Sequence, residues 1–75
     1  MTRLPQVSGR ECIRALEKAG FYRKDQKGSH VVMRRDSPFA QTVVPDHKEL
    51  HRGTLRDIIS QTNLTVAEFL ELLRD

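Results

Sequence analysis

A chain of 75 residues lies near the lower limit for folding on one core, because a domain this short buries only about 60% of the surface its unfolded form exposes. Its single cysteine excludes an internal disulfide, and its longest purely apolar runs, two or three residues, exclude a membrane span or a secretory leader. These features predict one domain over residues 1–75, in a reducing, cytoplasmic compartment.

The first helix is written in its cap. Ser8-Gly9-Arg10-Glu11 has the S-x-x-E spacing in which each side chain satisfies the other residue's free backbone N–H. Val7 and Cys12 are placed to form the accompanying apolar staple. Ile13, Leu16 and Ala19 then mark one face, and Gly20 is the left-handed stop, so the helix is predicted over about 9–19. Cys12 falls among these apolar positions and is expected to be buried.

A β meander follows. Phe21-Tyr22-Arg23-Lys24 is a short strand, and Asp25-Gln26-Lys27-Gly28 carries turn chemistry. The second strand runs from about Ser29 to Arg35. Its alternation sets Ser29, Val31 and Met33 on one face and His30, Val32 and Arg34 on the other. If the core takes Val31 and Met33, His30 points away from it; the opposite choice buries His30 at the rim of the sheet. Asp36-Ser37-Pro38 is a turn, and Gln41-Thr42-Val43-Val44 is the third strand, stopped by Pro45.

Two helices complete the pattern. Leu55, Ile58, Ile59 and Thr62 recur at helical spacing over about 53–62, closed by Asn63. Thr65-Val66-Ala67-Glu68 is a second capping box, leading a helix lined by Val66, Phe69, Leu70 and Leu73, with Leu64 and Phe69 as a staple. The order is α-β-β-β-α-α. The predicted core comprises Ile13, Leu16, Phe21, Val31, Met33, Val43, Leu55, Ile58, Ile59, Phe69, Leu70 and Leu73.

Charge is unevenly spread. Residues 1–35 carry nine Lys and Arg against three acids, whereas residues 36–75 carry four against seven. A basic half suits a polyanion, although a solvated surface looks the same by charge alone. A short helix–loop–helix at the C-terminal end invites a DNA-reading motif. The exposed positions of its last helix, Ala67, Glu68, Glu71 and Asp75, are wrong for a recognition helix, which must approach phosphates.

Among ionisable residues His30 is the best placed for chemistry. An imidazole takes and gives a proton near neutral pH. Lys24, Lys27, Arg34 and Arg35 are placed to hold phosphate oxygens around it. Gly28 lets a substrate backbone approach, and Ser29 offers a hydroxyl or N–H donor. Such a group suits RNA, whose 2′-OH is an internal nucleophile that DNA lacks. His47 and His51, in "PDHKELHRGT", are either polar loop residues, or one of them is a second proton-transfer group or a phosphate contact. No cysteine or paired acid joins the histidines to make a zinc set, so no metal or other cofactor is expected. Phosphate-binding glycine loops and nucleophile elbows are missing as well.

Two long stretches, "SGRECIRALEKAGFYRKDQKGSHVVMRR" and "TVVPDHKELHRGTLRDIISQTNLTVAEFLELL", carry a family resemblance across residues 8–73. The chain resembles the HicA family, mRNA interferase toxins of type II toxin–antitoxin pairs. The matching features are Ala-Gly-Phe, Gly-Ser-His, Val-Pro-x-His and Gly-Thr-Leu-Arg, in this order. Thr62-Asn63 departs from a frequent Ala-Gly. The resemblance implies a double-stranded-RNA-binding-domain-like α+β fold, a three-stranded antiparallel sheet packed on helices. It also implies endoribonuclease action on mRNA with the catalytic histidine at His30, presented by Gly28 and Ser29, and a HicB-type antitoxin partner that covers the active site. Pro45 and His47 match a second family block; His47 is carried forward as a possible second acid or base. The alternative is a non-catalytic RNA-binding module using the same basic sheet.

Overall fold

A computed structural model describes residues 3–74 of the chain. The elements are α1 (Gly9–Lys18), β1 (Tyr22–Lys27), β2 (His30–Asp36), β3 (Phe39–Pro45), α2 (Arg52–Gln61) and α3 (Val66–Leu73). This is the expected α-β-β-β-α-α order, with one antiparallel sheet of strand order β1-β2-β3. α1 and α2 pack on β3, and α3 packs on α1. The arrangement is the α+β, double-stranded-RNA-binding-domain-like class.

Caps define the helices. Ser8 Oγ accepts from the Glu11 N–H at 3.0 Å while Glu11 Oε1 accepts from the Ser8 N–H at 2.9 Å, and Thr65 and Glu68 make the same exchange at 3.0 and 2.8 Å. α1 closes with the Phe21 N–H on the Leu16 carbonyl and the Gly20 N–H on the Glu17 carbonyl, the paired bonds of a Schellman motif. α2 repeats it with Leu64 on Ile59 and Asn63 on Ser60, Asn63 taking the left-handed φ of 61°. α2 begins differently: its N-cap His51 makes no side-chain capping bond.

Strand parity decides the layers. β2 pairs with β3 from His30↔Pro45 to Asp36↔Phe39 without a break, and directly opposed residues share a face. Val31 and Met33 therefore lie with Val44 and Thr42 beneath the helices, all buried. That resolves the ambiguity of β2 in favour of an exposed His30. The same parity overturns one expected core residue: Val43 is 45% exposed, and Ala40, Thr42 and Val44 fill the inner positions of β3. β3 begins at Phe39, earlier than its apolar run suggests. β1 is also longer than expected, six residues all exposed, with a bulge between Arg23 and Asp25 where Lys24 is the additional residue.

The core joins Cys12, Ile13 and Leu16 of α1 to Val31, Met33 and Val44 of the sheet and to Leu55, Ile58, Ile59 and Phe69 of the last two helices. Val7, expected in the staple of α1, belongs to it as well, as do Leu4 and Leu50, which the sequence pattern does not mark. Leu70 and Leu73 are half-buried. Asp75, assigned from sequence to the exposed side of the last helix, lies outside the described residues.

Candidate active site

Gly28 and Ser29 form a two-residue hairpin loop between the paired Lys27 and His30. Gly28 has a φ of +57° and Ser29 does not have a positive φ. This is the type II′ pattern, whose twist matches that of the flanking strands and which requires glycine at the first loop position. A Cβ on Gly28 would meet nothing, so the requirement is conformational. The loop is latched from the other side: the Asp46 N–H donates to the Ser29 carbonyl at 2.6 Å, continuing the β2–β3 ladder past Pro45. His30 thus opens β2 on a backbone held by both neighbours, with its side chain exposed on the face opposite the core.

The loop after β3 is fastened to α1. The Gly9 N–H donates to the His47 carbonyl at 2.8 Å, and the Leu50 N–H to the Val7 carbonyl at 2.8 Å. Contact here is close enough that a Cβ on Gly9 would collide with the Pro45 carbonyl oxygen and the Asp46 Cα. Leu50, buried beneath the loop, is its apolar anchor. Two residues of chain span at most about 7 Å, and cross-strand Cα atoms lie about 5 Å apart. His47 therefore begins within roughly 12 Å of the His30 backbone. Ser8, Arg10, Asp46, His47 and Lys48 line a hollow here, with Arg10 Nε 3.8 Å from Asp46 Oδ1.

The structure divides the cations expected to hold phosphate. Lys27 lies directly across from His30 on the same face. Lys24 is exposed at the β1 bulge. Arg34 shares the His30 face four residues along β2, where its Nε donates to Asp36 Oδ1 at 2.8 Å. Arg35 is not part of this group. It points to the helix side, donates to the carbonyls of Pro38 at 3.0 Å and Ala19 at 3.2 Å, and lies 4.7 Å from the Phe21 ring centroid. There it satisfies the Ala19 carbonyl at the end of α1 and the Pro38 carbonyl of the β2–β3 turn. Its role is in the fold.

Two neighbours on the open face were not expected from sequence. The Tyr22 hydroxyl donates to both Asp36 oxygens, at 3.1 and 3.0 Å. Loss of hydration, then the bond to Asp36 and its negative charge, raise this hydroxyl above the usual tyrosine range, with Arg34 opposing them. Phe39, across from Asp36, lies 5.1 Å from the Arg34 guanidinium carbon. Only the register reveals this grouping, since Tyr22 and Phe39 are far apart in sequence.

Among the described residues, no three His, Cys, Asp or Glu side chains are grouped to share a metal ion, and no helix is long and apolar enough to cross a membrane. The family model described as HicA toxin of bacterial toxin-antitoxin matches residues 9–64. The chain belongs to the HicA toxin family. The match runs from the first residue of α1 through the helical Schellman closure at Leu64, and so contains the Gly28–His30 hairpin, the fastened loop and His47. Membership makes this HicA-family chain the toxin of a toxin–antitoxin system, with an antitoxin as its partner. No curated protein matches the chain.

Proposed function

We propose that this HicA-family toxin is an endoribonuclease that cuts mRNA by histidine acid–base chemistry without a metal ion, and that a HicB-type antitoxin silences it by covering His30. The observation that supports this best is the mounting of His30: an exposed imidazole on a strand end held rigid from both sides, with the Lys27 ammonium directly opposite.

The chemistry follows from what an imidazole can do. His30 as general base takes the proton of a ribose 2′-OH, and the resulting alkoxide attacks the adjacent phosphorus. The P–O5′ bond breaks as the new P–O2′ bond forms, leaving a 2′,3′-cyclic phosphate. The departing 5′-oxygen needs a proton, and His47 is the proposed donor across the gap to the fastened loop. Lys24 and Lys27 attract the phosphate oxygens, and Arg34 holds the RNA farther along β2. Gly28 keeps the hairpin free of a side chain where the ribose–phosphate backbone passes. Arg35, expected from sequence to bind RNA, has no part in this proposal because its guanidinium is engaged on the other face.

The test is cleavage of a defined single-stranded RNA in EDTA by wild-type and His30→Ala protein, with affinity measured in parallel. Loss of the base lowers the cleavage rate by about 10²- to 10⁴-fold, with RNA affinity retained. Equal cleavage by both proteins would remove His30 from the mechanism. RNA binding without cleavage by either would make the chain a binding module.

A further inference from the structure

Among the described residues, the three large apolar side chains that remain exposed, Tyr22, Phe39 and Val43, lie on the open sheet face that carries His30. Tyr22 is 42% and Phe39 59% exposed. Exposed rings beside the cations of the same face offer a partner both apolar and charged contacts. The two rings are moreover already held: Asp36 accepts from the Tyr22 hydroxyl and from Arg34 Nε, and Arg34 in turn lies over the Phe39 ring. Side chains fixed in this way lose little further conformational entropy when something binds.

We propose that Tyr22 and Phe39 form a stacking platform for unpaired bases of the same RNA strand whose phosphodiester is cut at His30. This rests on the ribonuclease reading above and adds to it the form of the substrate, a single strand lying along β2. At about 3.3 Å per residue, the Tyr22–Arg34 row stands roughly 13 Å from His30 and the Asp36–Phe39 row roughly 20 Å. That spacing suits a sheet on which aromatic residues stack about two bases, as sheet-based RNA modules do.

Charge explains why stacking has to add to the phosphate contacts here. Beside Lys24 at the bulge, the open face sets Lys27 and Arg34 against Asp25 and Asp36, with both oxygens of Asp36 already occupied. Two or three phosphate contacts alone hold a strand weakly, whereas the π-face of a base stacks on a ring whatever the net charge. Double-stranded RNA keeps its bases inside and presents mainly backbone. The platform therefore selects unpaired RNA.

One property of the chain makes the test direct. It has one tyrosine and no tryptophan, so its near-ultraviolet emission comes from Tyr22. His30→Ala protein is titrated with an eight-nucleotide single-stranded RNA, following both tyrosine emission and the anisotropy of a labelled strand. The expected result is quenching that saturates with binding, and a loss of affinity of about five- to hundredfold for Tyr22→Leu and for Phe39→Leu, with Tyr22→Phe retained within about twofold. Binding with unchanged tyrosine emission, or unchanged affinity in both leucine variants, would overturn the platform while leaving the ribonuclease reading intact. If those variants instead lose only the antitoxin, the face is a protein-docking surface and the proposal fails. Absence of both RNA binding and cleavage in the wild-type protein would overturn the reading and the platform together.

Discussion

His30 and Arg35 show what a single residue's neighbourhood reveals and conceals. The Gly28–Ser29 turn that precedes His30 is legible from sequence, but alternation alone leaves open which face its side chain takes, and only the pairing of β2 with β3 puts it on the open one. Arg35 reads as one more cation of a basic strand, yet the alternation of β2 turns it to the helix side, where Ala19, Pro38 and Phe21 engage it. Truncating it to alanine is expected to lower stability by about 0.5–1.5 kcal/mol, the net worth of hydrogen bonds to carbonyls that water can still reach, while RNA affinity changes little. Denaturant unfolding and an RNA titration of the same variant check both. Cys12 gives a second prediction at this scale. Burial pushes its thiol up to about 12, so a thiol reagent at neutral pH should leave the native protein unmodified and label one site after unfolding. Rapid labelling of the native protein would contradict that placement.

Elements were the easiest part to anticipate, because both capping boxes and both left-handed stops are local codes that the structure uses as written. Their contacts were not. Gly9 looks like an ordinary first-turn residue, and only the fold brings it against the Pro45–His47 backbone. Glycine to alanine normally favours a helix by about 0.5–1 kcal/mol, and Gly53, with open space around its missing side chain, should follow that rule. Gly9→Ala should do the reverse and cost about 1–3 kcal/mol through overpacking. Thermal melts should therefore move in opposite directions for the two variants, by roughly 4–8 °C per kcal/mol. Glu11 adds a pH dependence. Its bonds to Ser8, the backbone N–H first, hold its carboxyl below the usual range. A depressed folded value means the contribution is full above the ordinary glutamate value of about 4.3 and is lost as pH falls through the folded one. Glu11→Gln, which keeps an acceptor, should show a smaller drop in urea midpoint between pH 7 and pH 3 than wild type.

At the scale of the molecule, topology gathers at one end what the sequence scatters. The β1–β2 hairpin, the exit of β3 and the starts of α1 and α2 meet there, bringing His30, His47 and His51 to the same end. Along the sequence the charges divide by halves of the chain; the fold groups them by face, and parity sends Val43 out and Arg35 in. Residue alternation was visible in each strand, but which parity faces the core depends on pairing between strands, which no local pattern encodes. A sheet face with few unengaged cations also predicts a modest salt response. Two or three neutralised phosphates give a slope of log affinity against log salt of about −1.4 to −2.1 for single-stranded RNA. A much steeper slope would point to a basic surface elsewhere on the molecule.

In the proposed reaction His30, with His47 as proton donor and without a metal, turns the RNA's own 2′-hydroxyl against its backbone. A single-stranded RNA carrying one 2′-deoxy residue at the mapped cut site, incubated with wild-type protein in EDTA, puts this chemistry to the test. The expected result is that the unmodified strand is cut to a 2′,3′-cyclic phosphate end and that the deoxy position resists cleavage. Cutting at the deoxy position, or cutting that stops in EDTA and returns with magnesium, would contradict it.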